Sequence, residues 1–169
     1  MPVFTAPTAT DTCDPNPTIV LVSDVTVDGA CAGTYVRTRT WKAVDACGNE
    51  SGLVSQTITV IDTTAPVISA AGANATISCP AVPVFTAPTA TDTCDPNPTI
   101  VLVSDVTVDG ACAGTYVRTR TWKAVDACGN ESAAVSQSIT VQDITAPSIS
   151  AAGANATISC PAVPVFTAP

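Results

Sequence analysis

The sequence repeats itself every 81 residues, nearly letter for letter. Pro2-Val3-Phe4-Thr5-Ala6-Pro7 returns as Pro83–Pro88 and again as Pro164–Pro169. Positions 2–88 align with positions 83–169, and six of those 87 pairs differ: Gly52/Ala133, Leu53/Ala134, Thr57/Ser138, Ile61/Gln142, Thr63/Ile144 and Val67/Ser148. A module copied this faithfully is more often a length of something, so a tandem array is the first reading. A catalytic site is normally needed once, whereas a spacer gains length from every copy.

A module of 81 residues is the size of one small β domain. A core that small usually needs reinforcement. Four cysteines per period can supply it: Cys13, Cys31, Cys47 and Cys79, then Cys94, Cys112, Cys128 and Cys160. An even count in a small module rich in Thr and Pro points to disulfides and an oxidising compartment. A zinc site is disfavoured, because no C-x-x-C pair occurs and histidine is absent.

The net charge of −8 argues against nucleic acid and anionic membranes as partners. No apolar run reaches the length of a membrane span, so no membrane insertion is expected. Met1-Pro2 leads straight into the repeat without a signal peptide. On this reading the chain is a segment of a longer array, with Met1 an added start.

Helix signals are missing and strand signals are dense. β-branched runs alternate with period two between Pro, Gly, Asp and Asn. We place the joint between copies at Asp62-Thr63-Thr64-Ala65-Pro66 and Asp143-Ile144-Thr145-Ala146-Pro147, where proline ends pairing and stiffens the crossing. The middle copy then predicts strands over 67–79 (interrupted at Ala71–Asn74), 84–91, 99–108, 115–125 and 135–141. The expected fold class is all-β: tandem immunoglobulin-like antiparallel β-sandwich modules, disulfide-stapled. The expected domains are an incomplete module over 1–63 lacking its first strand, a complete one over 64–144, and the opening of a third over 145–169. Trp122 is expected to face the core, with Arg120 beside it or at the sheet rim.

Consecutive strands of a sandwich reverse, so loops gather at two poles. Cys94 and Cys128 fall at one pole, Cys79 and Cys112 at the other. Of the three pairings that four cysteines allow, this suggests Cys94–Cys128 and Cys79–Cys112, with Cys13–Cys47 in the first copy. Cys31 and Cys160 are left intermolecular or unpaired. Residues 145–169 offer a strand that residues 2–63 lack. The tail of one chain has the strand to complete the head of another by head-to-tail strand complementation, with Cys160 bridging to Cys31 of the neighbour. The simpler reading, an array cut at an arbitrary phase, is the favoured one.

Three segments together resemble the hyalin-repeat-like immunoglobulin modules: Ala90–Pro98 (ATDTCDPNP), Arg120–Asn130 (RTWKAVDACGN) and Asp143–Pro147 (DITAP). Asp62–Pro66 followed by Ile77-Ser78-Cys79-Pro80 is similar to the usual opening of such a module. The family occurs in very long surface proteins, including adhesins of gliding Bacteroidota-type bacteria. The resemblance implies a secreted or cell-surface location and a role as spacer or adhesive stalk. It carries no catalytic residues.

The residue inventory also argues against an enzyme: no histidine, no G-x-S-x-G and no P-loop. Lys42 with Asn49, or Lys123 with Asn130, has the makings of an isopeptide bond, but ordinary exposed lysines are the plainer reading. Calcium is the better candidate cofactor. Asp92, Asp95, Asp126, Asn130 and Glu131 lie in turns at one pole, and Asp62 comes from the preceding joint. The plain alternative is that these residues form turns. The sequons at Asn49 and Asn74, and Asp62-Thr63-Thr64 as an O-glycosylation motif, carry little weight. Two function classes remain. One is a structural stalk or filament segment whose partners are neighbouring copies. The other is an adhesive module contacting a glycan, protein or substratum surface. Near-identity of the copies, loops included, favours the first.

Overall fold

The computed structural model describes residues 2–166. Among them are nine strands and no helix: β1 (Thr18–Asp28), β2 (Tyr35–Val44), β3 (Val54–Val60), β4 (Val67–Ile68), β5 (Ala75–Ser78), β6 (Ala90–Thr91), β7 (Thr99–Asp109), β8 (Tyr116–Val125) and β9 (Val135–Gln142). They form a three-stranded sheet β1-β2-β3, a four-stranded sheet β5-β9-β8-β7 and a two-stranded sheet β4-β6. The chain is all-β, as its alternation predicts.

The echo in sequence is an echo in register. β1 pairs with β2 from Thr18↔Val44 to Asp28↔Tyr35, and β7 pairs with β8 from Thr99↔Val125 to Asp109↔Tyr116. Each hairpin carries the same irregularity, between Leu21 and Ser23 and between Leu102 and Ser104. An extra residue there adds local twist to the strand.

β7, β8 and β9 lie where the alternation places them. The run over 67–79 breaks at Ala71–Asn74, and its two halves enter different sheets. The run over 84–91 keeps only β6 as strand. Pro83 and Pro88 have no N–H to donate, so a continuous ladder cannot form through them. One pairing departs from an all-antiparallel scheme: β5 runs parallel to β9, from Ala75↔Ile139 to Ser78↔Gln142. β5 reaches that edge by changing sheets at Ala71–Asn74, without a hairpin reversal.

The core of the middle copy is narrow. Trp122 (5 % exposed), Ala124 (0 %), Ile139 (2 %) and Val141 (2 %) are its buried apolar residues. The indole of Trp122 therefore faces inward, as its apolar area demands. Phe85 meets it edge-on at 6.3 Å, and Arg120 lies over the Phe85 ring at 4.7 Å. Arg120 thus reaches the tryptophan through Phe85, a residue the strand pattern did not single out. Gln137, also buried, accepts a hydrogen bond from Thr86 N and donates one to Ala73 O. It ties β9 to the irregular segments on both sides of β5. Gly72 is required there, because a Cβ would stand 2.8 Å from the Gln137 amide.

The chain exposes 11657 Å². A compact globule of this mass exposes about 7,700 Å² by the usual area–mass scaling. Part of the excess comes from the segment after β9, whose described residues from Gln142 to Phe166 are all exposed. No helix among the described residues is long and apolar enough to cross a membrane.

Candidate functional site at the joint between copies

β1 ends, β2 begins and β3 ends at the same pole of the first copy, so the loop carrying Cys31 sits beside the exit of the chain at Ile61-Asp62. The turns around Cys94 and Cys128 belong to the facing pole of the middle copy. Residues 31, 62, 92–95 and 126–130 meet there.

The disulfide corrects the sequence-based pairing. Cys128 is bonded to Cys31, 97 residues away, and not to Cys94. Cys13, Cys47, Cys79, Cys94, Cys112 and Cys160 carry free thiols, so neither Cys79–Cys112 nor Cys13–Cys47 is formed. Cys31 is accordingly not left for Cys160 of a neighbour. The poles themselves were placed correctly. Cys79 Sγ lies 3.4 Å from where a Cβ on Gly114 would stand, in the loop that holds Cys112. Docking of the two copies could not be read from strand directions within one copy, and it brings Cys31 to Cys128. Gly33 shows how close this contact is. Its φ is +73°, and a Cβ would lie 3.0 Å from the Cys94 carbonyl oxygen.

The six residues expected to hold calcium separate into distinct roles. A carboxylate oxygen of Asp62 lies within 4.8 Å of one from Asp126, and within 4.8 Å of one from Asp92. Asp62 is only 9 % exposed. Its Oδ1 accepts a hydrogen bond from Thr64 N at 3.0 Å, while its Oδ2 is buried with no hydrogen-bond partner. Asp92 uses Oδ1 to accept from Cys94 N and Asp95 N. Asp126 accepts from Cys128 N and Asn130 N on Oδ1 and from Asn130 Nδ2 on Oδ2. Burial pushes the Asp126 carboxyl up, and the hydrogen bonds from Asn130 outweigh it, leaving it below the ordinary aspartate value.

Asn130 positions the site, since its Nδ2 also donates to Asp62 O at 3.3 Å. Asp95 is buried but belongs to neither carboxylate grouping: Oδ1 accepts from Asn97 N and Oδ2 from Ala127 N. It fastens one turn to the other. Glu131 is exposed and pairs with Lys123 at 2.6 Å, outside the cluster. That pair, and Lys42–Glu50 at 2.5 Å in the first copy, engages the lysines with glutamates rather than with Asn49 or Asn130. The structure therefore keeps Asp62 close to Asp126 and, in a second grouping, close to Asp92. Neither Arg nor Lys makes an ion pair with any of them among the described residues.

No family model, no curated protein and no solved structure matches the chain.

Proposed function

We propose that this chain is a non-catalytic structural segment, a length of extracellular stalk or filament in a large surface protein of the hyalin-repeat-like, immunoglobulin-type kind. The observation that carries this reading is the Cys31–Cys128 bond, which locks one copy covalently to the next across their joint. Two copies joined only by a Pro-containing linker would swing independently. A crosslink beside that linker makes the pair a stiff unit and resists pulling along the chain. An oxidising, cell-surface setting suits it. The large exposed area and the repetition of whole loops suit a spacer better than a binding head.

Copies of the chain also have the means to add head-to-tail. β5 (ATIS) covers the open edge of β9, and the same four residues recur unpaired and exposed at Ala156–Ser159. β3 is the counterpart of β9, and its second edge carries no strand among the described residues. Shifted by one period, the β5–β9 register sets Ala156 against Ile58 and Ile158 against Val60 of another copy. Main-chain pairing of this kind is strand addition, and its heterologous geometry builds an open filament.

Electron micrographs of the oxidised chain should show rods that lengthen with the number of periods expressed, and bent or hinged particles after reduction. Specific binding of a single isolated period on a glycan array would replace the stalk by the adhesive reading. For the head-to-tail step, light scattering should show concentration-dependent oligomers that vanish when residues 145–169 are removed. A strict monomer at high concentration rules that step out while leaving the stalk intact.

A further inference from the structure

We propose that the joint between copies is a calcium site, with the carboxylates of Asp62, Asp92 and Asp126 as its protein ligands. Asp62 of the linker stands between two further aspartates there, Asp92 in the turn after β6 and Asp126 in the turn after β8. Oxygens on one calcium ion, each at 2.3–2.6 Å, stand no more than about 5 Å apart. Asp62 lies within that limit of Asp126 and, in a second grouping, of Asp92, so an ion seated on Asp62 would draw the other two carboxylates onto itself from either side.

Clustered acids alone prove nothing, but Asp62 adds a second fact. Its Oδ2 is buried, makes no hydrogen bond, and belongs to a side chain 9 % exposed. A buried carboxylate oxygen with neither donor nor cation is costly. Water is largely excluded from it, and its near neighbours include two more carboxylates. A hard divalent cation answers all three charges together, and waters complete a shell of six to eight oxygens. The nearby sulfurs do not turn the site toward a thiophilic metal: Cys128 Sγ is consumed in the disulfide, leaving Cys94 the single thiol.

The repeat supplies an internal control. Asp11 and Asp45 correspond to Asp92 and Asp126, and here they meet no linker aspartate. Asp11 is exposed and Asp45 half-buried. Asp143 corresponds to Asp62, and it is exposed beyond β9. One complete set therefore exists per chain, and binding requires two docked copies. An ion held there would fasten the linker to both turns of the following copy, next to the disulfide.

Calorimetric titration of the oxidised full chain with calcium chloride should give one ion per chain. Asp62→Asn keeps an acceptor for Thr64 N, and should weaken binding at least tenfold and abolish any calcium-dependent rise in melting temperature. Asp92→Asn should act in the same direction. Asp45→Asn, in the first copy, should leave affinity and stoichiometry unchanged. Circular dichroism of each variant separates misfolding from loss of a ligand. Any of four results overturns the proposal: no binding at millimolar calcium, a stoichiometry other than one, wild-type affinity in a folded Asp62→Asn chain, or preference for zinc over calcium.

Discussion

β3 and β9 are nearly the same sequence in two different surroundings. Ile139 and Val141 on β9 are buried, while Ile58 and Val60 on β3 remain half-exposed. Gln137 is buried and bonded on both sides of its amide, whereas Gln56 keeps a single bond, from Thr5 N. The difference is β5, which lies along β9 and has no counterpart on β3. The two turn poles differ in the same way. Cys128 is bonded and Asp126 buried in the middle copy, whereas Cys47 is free and Asp45 only half-buried in the first. Burial and bonding here belong to the neighbour as much as to the residue.

The largest expected effect comes from removing the covalent link between copies. A loop of 97 residues closed by a disulfide is worth up to about 5 kcal/mol in the chain-entropy model. Cys31→Ser should lower the denaturation midpoint strongly and split the transition into two. Cys112→Ser, the same loop one period on, should change neither. Equal effects would mean that the joint does not hold the copies together.

A smaller contrast lies in the paired strands. Ile139→Ala removes a fully packed side chain and should cost about 2–5 kcal/mol. Ile58→Ala should cost less than half as much, because that site is already partly open to water. Urea denaturation of the two variants measures the gap. Adding a synthetic peptide of residues 153–161, which contains the β5 sequence, should protect β3 amides from hydrogen exchange and leave β9 amides as they were.

The smallest effect marks where the copies are alike. Asp105 is held down to about 2, chiefly by the hydrogen bond from Arg118 with Arg120 assisting, and Asp24 is held to about 2 by Arg37 and Arg39. Unfolded, such a carboxyl titrates near 3.8. A depressed folded value stabilises fully above that pH, and the contribution disappears as pH falls through about 2. These pairs sit at the surface, so the loss should be slight and equal in the two copies. Asp24→Asn and Asp105→Asn should each flatten the stability profile between pH 4 and 2 by the same small amount. Unequal flattening would show that the two hairpins are not equivalent.

Much of this was legible in the residues. Alternation located β7, β8 and β9, the size of its indole placed Trp122 inside, and strand reversal sorted the cysteines to their poles. Proline content explains the shrinkage of β6, although the run from Val84 to Thr91 reads as strand by composition. Of the six acidic and amide candidates, Asp62 lies near Asp126 and, separately, near Asp92. The turn hydrogen bonds of Asp95 and the Glu131–Lys123 pair are decided by side-chain direction, which spacing does not report.

By itself the sequence determined the all-β class, the period and the strand positions, because these follow from local propensity and from repetition along the chain. Only the tertiary structure decided that Cys31 meets Cys128, that β5 runs parallel on β9, and that Asp62 is buried among carboxylates. Each of those depends on how one copy docks against the next. Identical copies carry identical local signals, so nothing in their letters distinguishes a contact made within a copy from one made across the joint.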